Sequence, residues 1–340
     1  MRALRFPYLV RPVRARLGLA IAIAGMLLAP AAADAAVTWG GVNSGLPWAS
    51  GSGAGSGDEL AALRGRPLDV RTGYLPMTNW SAMIGSTRAI RRFGGGGAKP
   101  VLALGMMPQS NARQHSQCAA GAFDGYIRQI GMGLINAGRP DTILRLGWEA
   151  NRMNGFAWAV TGDGSSWVAC WRRWASVLRS LPGQRFTMVW NMGQKGTFPH
   201  HIDRMYPGSD VVDVIGSQFY DRCNSIRSQG DWNDKLYRRQ PNGSPWGLAT
   251  WLEYAKSKGK RFAIPEWGIA GPKYICSDAG FDNPFFMQKF HEFLRTNASS
   301  IAFEGYFNGH SGMGGPGRGT HRIAPPTWNP KAAAMYKSLW

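Results

Sequence analysis

From residue 37 to the C-terminus, short apolar runs alternate with longer amphipathic stretches, and the alternation occurs eight times. In order, the runs are Val37–Val42, Leu68–Gly73, Pro100–Leu104, Thr142–Leu146, Arg185–Trp190, Val211–Ser217, Arg261–Ile264 and Ile301–Phe307. Each has the length and composition of a buried strand. Helical spacing fills Trp80–Arg92, Ala119–Ala137, Ser165–Leu181, Gly247–Lys258, Pro284–Thr296 and Pro330–Leu339. Pro284 and Pro330 suit a first helical turn, where a missing N–H is harmless, and Asn283 and Asn329 before them are expected N-caps. Eight strand–helix units with no intervening linker predict an α/β fold, a single-domain (β/α)8 TIM barrel. Glycine-rich Ser50–Gly57 and Gly312–Gly319 follow the first and eighth runs and are expected as loops on the rim. Gly94–Gly97 is expected as a turn at the opposite face.

Residues 1–16 carry five arginines and no acid, and residues 17–30 are apolar. Ala33-Asp34-Ala35 then fits a small-x-small cleavage site, so 1–35 reads as a secretory signal peptide and 36–340 as the single folded domain. The apolar run is short for a bilayer span and ends at Pro30. A secreted or periplasmic protein with no membrane span in its mature form is expected. The formal charge is +19, and losing residues 1–35, with five Arg and one Asp, leaves +15. That balance favours anionic partners. The basic residues are scattered, with no motif of a nucleic-acid-binding module, so no nucleic acid is expected and an acidic polysaccharide stays open.

Four cysteines, Cys118, Cys170, Cys223 and Cys276, follow the leader. In an exported chain they suggest two disulfides, and the absence of a CxxC speaks against zinc. Spacing alone allows three pairings. Barrel topology favours Cys118–Cys170, on neighbouring helices, and Cys223–Cys276, in the neighbouring loops after strands six and seven. The histidines form no ligand cluster, so neither a metal nor a cofactor is expected. His310 follows the eighth run and is as compatible with a simple loop as with the site.

The chain has six glutamates, at positions 59, 149, 253, 266, 292 and 304. Glu149 follows the fourth apolar run and Glu266 the seventh. In a barrel, the C-terminal ends of the strands form the rim where catalytic residues collect. Two carboxylates facing each other across that rim are the minimum for cleaving a glycosidic bond. Glu304 lies inside the eighth run and is expected below the rim as a structural group. Glu59, Glu253 and Glu292 fall on helices. Arg145 lies four residues before Glu149, and strand alternation puts both on the lumen side. Aromatic faces stack on pyranose rings, so Trp39, Trp148, Trp158, Trp190 and Trp267 are candidate platforms by position. Trp167, Trp171 and Trp174 recur at helical spacing and are expected as helix-to-barrel packing.

These segments resemble the retaining clan of (β/α)8 glycoside hydrolases, and within it glycoside hydrolase family 26, the β-mannanase family. Arg145-Leu-Gly-Trp-Glu149-Ala-Asn151 resembles the family's Arg-Pro-x-His-Glu-x-Asn. Gly155-Phe-Ala-Trp158 resembles the Gly–aromatic–Trp stretch that follows it. Asp213-Val-Ile-Gly-Ser-Gln-Phe-Tyr220-Asp221 resembles the sixth-strand segment, whose tyrosine touches the nucleophile. Pro265-Glu-Trp-Gly268 resembles Ser-Glu-Phe-Gly. The resemblance implies Glu149 as acid/base and Glu266 as nucleophile, supported by Tyr220, Arg145 and Asn151. Trp148, Trp158, Trp190, Trp267, Asn191, Gln218 and Asn308 are the expected substrate contacts. There are departures. Trp148 replaces the family's histidine, Arg152, Met153 and Asn154 are inserted, and Gln218 stands where Asp is usual, so mannan is not implied.

The expectation is therefore a secreted, monomeric, retaining endo-β-glycanase that needs no cofactor and hydrolyses polysaccharide by double displacement. Its polymer is expected to be acidic, with Arg152 and Arg222 near the rim as carboxylate contacts. A non-catalytic glycan-binding barrel and a transglycosylase are the alternatives.

Overall fold

The computed structural model describes residues 41–55, 57–153, 155–270, 281–309 and 321–340. The proposed leader, Trp39, Cys276, His310 and Gly312–Gly319 lie outside the described residues. The strands are β1 Ala49–Gly55, β2 Val70–Tyr74, β3 Lys99–Leu104, β4 Ile143–Leu146, β5 Thr187–Met192, β6 Val214–Ser217, β7 Phe219–Asp221, β8 Arg261–Ile269 and β9 Ile301–Asn308. All pair in parallel, in the order β6-β5-β4-β3-β2-β1-β9-β8-β7, and β6 also pairs with β8, which closes the sheet. β6 and β7 are one barrel strand broken at Gln218. β8 and β9 are thus the seventh and eighth of eight barrel strands. The helices are α1 Gly57–Arg64, α2 Trp80–Ser86, α3 His115–Ala119, α4 Asp124–Asn136, α5 Ser165–Arg179, α6 Gln229–Tyr237, α7 Leu248–Ser257, α8 Pro284–Thr296 and α9 Pro330–Leu339. No described helix is long and apolar enough to cross a membrane.

Parallel strands covered by helices bury both faces, and the side-chain period of two divides this molecule into two cores. The inner core takes residues from every barrel strand: Ala49, Val70, Val101, Ile143, Val189, Val214 and Ala263, with Ala302 and Phe303 from β9. Two residues further along β4 and β5, the same face presents Arg145 and Asn191. The opposite face, with Leu144, Leu146, Met188 and Trp190, joins the larger core under the helices.

The largest correction concerns the first strand. Ser50–Gly57 is not a rim loop after a strand at Val37–Val42. Its glycines build β1 itself, and described residues 41 and 42 are not strand. Close approach of neighbouring backbones explains the composition. A Cβ on Gly51 would sit 1.8 Å from the Val70 carbonyl oxygen, and one on Gly53 would sit 2.6 Å from that of Gly305. Only glycine fits, so the strand shows no apolar run.

Helix limits shift for local reasons. The expected helix at Ala119–Ala137 divides into α3 and α4 around Gly121, whose φ is +91°. α2 stops at Ser86 and continues as a 3-10 helix, Thr87–Gly97, which takes in the expected turn at Gly94–Gly97. Two short helices, α1 and α6, lie outside the expected set. Asn283 caps α8 as expected, accepting from Phe286 N at 3.1 Å. Asn329 does not cap α9. Its amide donates to the Arg322 carbonyl, and the Asp282 carboxylate accepts from Lys331 N and Ala332 N instead.

The expected Cys118–Cys170 disulfide is present and ties α3 to α5. The second expected bridge involves Cys276 and lies outside the described residues. α5 also bears the three tryptophans expected to pack. Their indole N–H groups donate outward from the helix, Trp167 to the Trp158 carbonyl, Trp171 to Leu146 and Trp174 to Met106. These carbonyls belong to the end of β4 and to the segments after β3 and β4. α5 thereby fixes the loop that carries Glu149.

Candidate active site

β4 ends at Leu146, and the chain turns at once through Gly147, with φ +61°, and Glu149, with φ +53°. A left-handed glutamate is uncommon and is held only where surrounding contacts require it. Here the Glu149 N–H donates to the Asn191 carbonyl on β5 at 2.9 Å, and Gly147 N–H donates to Leu104 on β3 at 2.8 Å. Asn151 anchors the same turn. Its amide bonds both the N–H and the carbonyl of Gly193, at 2.7 and 3.0 Å, and it is fully buried. Its supporting role is to hold the loop. Because Glu149 follows the strand rather than ending it, alternation from Arg145 does not set its direction.

Glu266 sits within β8, with its carboxylate almost enclosed. Oε1 accepts from Arg145 Nη2 at 2.5 Å and from the Tyr74 hydroxyl at 2.8 Å, and Oε2 accepts from the Tyr220 hydroxyl at 3.0 Å. Arg145 is fully buried and is itself aimed by Asn191, whose Oδ1 accepts from Nε at 2.7 Å. The expected Tyr220 contact is present, and Arg145 serves Glu266 rather than Glu149. Tyr74, which ends β2, is a site residue that sequence reasoning misses. Its one signal is an aromatic residue directly after the second apolar run.

The two carboxyls are pushed in opposite directions. Burial raises Glu149, the Glu266 charge raises it further, and the Arg152 guanidinium only partly offsets this. Burial also works to raise Glu266, but the Arg145 charge and the hydrogen bonds from Arg145, Tyr74 and Tyr220 outweigh it and hold it below the ordinary carboxylate value. Burial and the Glu266 charge raise both Tyr74 and Tyr220, so both phenols stay protonated as donors. The pair thus offers a proton donor and an ionised carboxylate in one site.

Two further arginines stand beside this pair. Arg152 Nη1 is 2.8 Å from Glu149 Oε2, with its side chain 43% exposed. Arg222 lies over the Tyr220 ring at 4.2 Å, and its charge lowers Glu149. Both are the rim arginines singled out in the sequence.

The expected sugar contacts fare unevenly. Trp190 points outward, against Tyr206, Trp251 and Tyr254, and is fully buried. Trp267 stacks on Phe290 at 4.0 Å under α8 and is equally buried. Neither faces the carboxylates, because each follows or precedes a lumen residue on the same strand. Trp148 and Trp158 do lie near the site, with Trp148 edge-on to Tyr74 at 5.9 Å and Trp158 at 4.3 Å from Trp148. Both are almost wholly buried, so they back the site and offer a sugar no open face. Asn308 is occupied too. Its amide pins the segment 321–324 by accepting from Ile323 N and Ala324 N and donating to the Ala324 carbonyl. Asn191 orients Arg145 rather than a substrate. Gln218 differs from these: it is buried at the break between β6 and β7, and neither amide atom has a hydrogen-bond partner among the described residues. Glu304 is structural, as expected, and faces the helices. No group of three or more metal-ligating side chains occurs among the described residues.

No protein-family model and no curated protein matches this chain by sequence. Solved structures match by shape. A modular endo-β-1,4-mannanase of glycoside hydrolase family 26 from Cellulomonas fimi superposes with TM-score 0.59 at 16% identity, over 84% of this chain and 66% of that one. The chain resembles the barrels of glycoside hydrolase family 26. GH26C from Muricauda sp. MAR_2010_75 matches at TM-score 0.56 and 15% identity, over 84% of each chain. A structure of fungal β-1,4-galactanases matches at TM-score 0.55 and 11% identity, over 83% of this chain and 91% of that one. At these identities the likeness is one of fold. It agrees with the (β/α)8 barrel expected from the sequence.

Proposed function

We propose that this chain is an exported retaining endo-β-glycanase, with Glu149 as acid/base and Glu266 as nucleophile. The observation that carries the reading is the opposed treatment of the two carboxyls. Glu266 is gripped by a guanidinium and two phenols that favour its charge, while Glu149 is buried in a way that favours its proton. In the first step a Glu266 oxygen attacks the anomeric carbon as Glu149 protonates the departing glycosidic oxygen. We assign the attack to Oε2, which among the described residues accepts only from Tyr220. In the second step Glu149, now ionised, takes a proton from water, and the glycosyl ester is hydrolysed with net retention. Fold likeness to an endo-β-1,4-mannanase and to β-1,4-galactanases supports a β-linked polymer as substrate. In this reading residues 1–35 are the signal peptide and 36–340 the catalytic domain, and the Cys118–Cys170 bridge supports export to an oxidising compartment.

The same reading extends to an acidic polymer. Arg152 and Arg222 flank the carboxylates on a chain whose net charge is +15 once the five Arg and one Asp of residues 1–35 are removed, and guanidinium forks suit carboxylate partners. Gln218, buried with an unbonded amide, is the assigned neutral sugar contact.

The test is chemical rescue on activated aryl β-glycosides and on a panel of neutral and acidic polysaccharides. Glu266→Ala should lose on the order of 10⁴-fold or more in kcat. Azide should restore turnover and give the inverted glycosyl azide. Glu149→Gln should lose polysaccharide cleavage but keep the first step on leaving groups that need no protonation. Near-normal turnover in Glu266→Ala, without azide, would remove the assignment.

A further inference from the structure

Outside the barrel wall, α2 and the 3-10 helix Thr87–Gly97 pack against α4, and a groove runs between them. Its upper part is a cavity of about 560 Å³ lined by Asn79, Trp80, Ser110, Tyr126 and Gln129 among others. Its lower part, about 660 Å³, is lined by Arg88, Arg91, Gln129 and Asn136 among others. The two parts share Ile84, Gly85 and Gln129, so they form one track. The upper end opens on the face that bears the carboxylates. Asn79 caps α2 shortly after β2, the strand that ends in Tyr74, and Ser110 N–H donates to the Thr78 carbonyl at 3.2 Å.

The two ends differ in chemistry. At the top, Tyr126 is 41% exposed and its ring stacks on buried Trp80, with centroids 4.9 Å apart and planes 9° apart. An exposed aromatic face held rigid by a second ring loses little freedom when a flat partner lands on it. The amides of Asn79 and Gln129 and the Ser110 hydroxyl lie around it. At the bottom, Arg88 and Arg91 are exposed, and Arg91 is steadied by the carbonyls of Ala137 and Asn136 at 3.2 and 3.3 Å. Among the described residues no Asp or Glu lines either part. A stacking platform with hydroxyl and amide neighbours fits a pyranose, and an uncompensated pair of guanidinium groups further along the same track fits carboxylates.

We propose that this groove binds an extended stretch of a uronate-containing polysaccharide, with Tyr126 stacked on a pyranose face and Arg88 and Arg91 on its carboxylates. The groove involves neither Glu149 nor Glu266, so it stands or falls apart from the catalytic reading.

Affinity gel electrophoresis in alginate, with soluble glucomannan as the neutral comparison, tests it on the full exported chain. The variants are Tyr126→Ala, Arg88→Glu and, as a charge-matched control on α4 outside the groove, Arg128→Glu. Alginate should retard the wild-type protein. Tyr126→Ala and Arg88→Glu should each weaken its binding about tenfold, and Arg128→Glu should bind like the wild type. Hydrolysis of a small aryl β-glycoside should be unchanged in all three. Equal weakening by Arg128→Glu would reduce the effect to general charge and overturn the site. Unchanged retardation in Tyr126→Ala and Arg88→Glu would also overturn it. Equal retention by glucomannan, insensitive to Arg88→Glu, would overturn the uronate assignment. If the wild type hydrolyses no aryl glycoside but the retardation pattern holds, the groove stands and the catalytic reading fails.

Discussion

Two buried carboxylates lie on adjacent strands of this barrel, one on each side of its wall. Glu266, on β8, faces the lumen and is held by Arg145, Tyr74 and Tyr220. Glu304, on β9, faces the helices and is held by three indoles, Trp48 at 3.4 Å, Trp340 at 3.0 Å and Trp267. Both are enclosed, and Glu304, which also accepts from the Ser50 hydroxyl, has no fewer side-chain donors than Glu266. The donors differ in charge. A guanidinium in direct contact stabilises the ionised form of Glu266. Neutral donors, the Ser50 hydroxyl and the indoles, do so less, and burial prevails at Glu304 and raises it even with the Arg64 charge nearby. The number of hydrogen bonds therefore does not distinguish the carboxylate held ionised from the one kept protonated. Direct contact with a guanidinium and the face of the strand do, since Arg64 acts on Glu304 only through its charge while Arg145 bonds Glu266.

The first way to break this comparison is to delete Glu304. Glu304→Ala orphans three buried indole donors that bind α9 and the β1 entry to the barrel. It should destabilise the fold by about 3–5 kcal/mol, read as a lower denaturation midpoint. The protein that remains folded should keep its kcat. A lost kcat with intact stability would place Glu304 in the chemistry and erase the contrast.

Arg145→Met should act the other way, chiefly on activity. Without the guanidinium, burial alone governs Glu266 and its pKa rises. The acid limb of kcat/KM, which reports ionisation of the proposed nucleophile, should move to higher pH, with a loss on the order of 10²–10³ at the former optimum. An unmoved acid limb would mean that Arg145 does not set the Glu266 charge.

Stability against pH sharpens the same contrast. Glu266 is depressed in the folded state, so its contribution is present above the unfolded carboxylate value and is lost as pH falls through the folded one. Glu304 is raised, so its contribution is present below the unfolded value and is lost as pH rises through the folded one. Glu304→Gln should therefore gain on the wild type in melting temperature as pH rises above about 4.3, the unfolded value. A constant difference across pH would contradict the raised state.

The smallest effects belong to single phenols. Tyr74→Phe and Tyr220→Phe each remove one donor from Glu266 and should cost about tenfold in kcat, or roughly 1–2 kcal/mol of hydrogen bonding. Tyr220→Phe should have the larger effect if Oε2 is the attacking oxygen. A larger loss in Tyr74→Phe would shift the attack to Oε1.

Legibility before the fold differs from residue to residue. Glu149 and Glu266 are visible in the sequence because each follows a short apolar run. Arg145 and Arg152 are visible because they lie near Glu149 in sequence, and Tyr220 through the resemblance of its segment to the family's sixth strand. Trp190 and Trp267 defeat the same reading because proximity along a strand is not proximity in space. Asn191 and Trp190 are neighbours, as are Glu266 and Trp267, and a period of two sends neighbours to opposite faces. Asn308 escapes it for another reason: its amide is used up by backbone groups of a segment whose course no local pattern states.

The sequence by itself determined the barrel class, seven of its eight strands and the placing of Glu149 and Glu266 after apolar runs, because strand length, helical spacing and chain order are local properties; the Cys118–Cys170 pairing followed only once barrel topology was assumed. Only the tertiary structure decided that a glycine-rich segment is β1, since its glycines answer to the carbonyls of Val70 and Gly305 on neighbouring strands. Only the tertiary structure brought Tyr74 to Glu266 across 192 positions. It also made one buried glutamate a charged group among a guanidinium and phenols and the other a structural group among indoles. Each of these depends on which side chains meet across the barrel, and burial and neighbouring charge act through space.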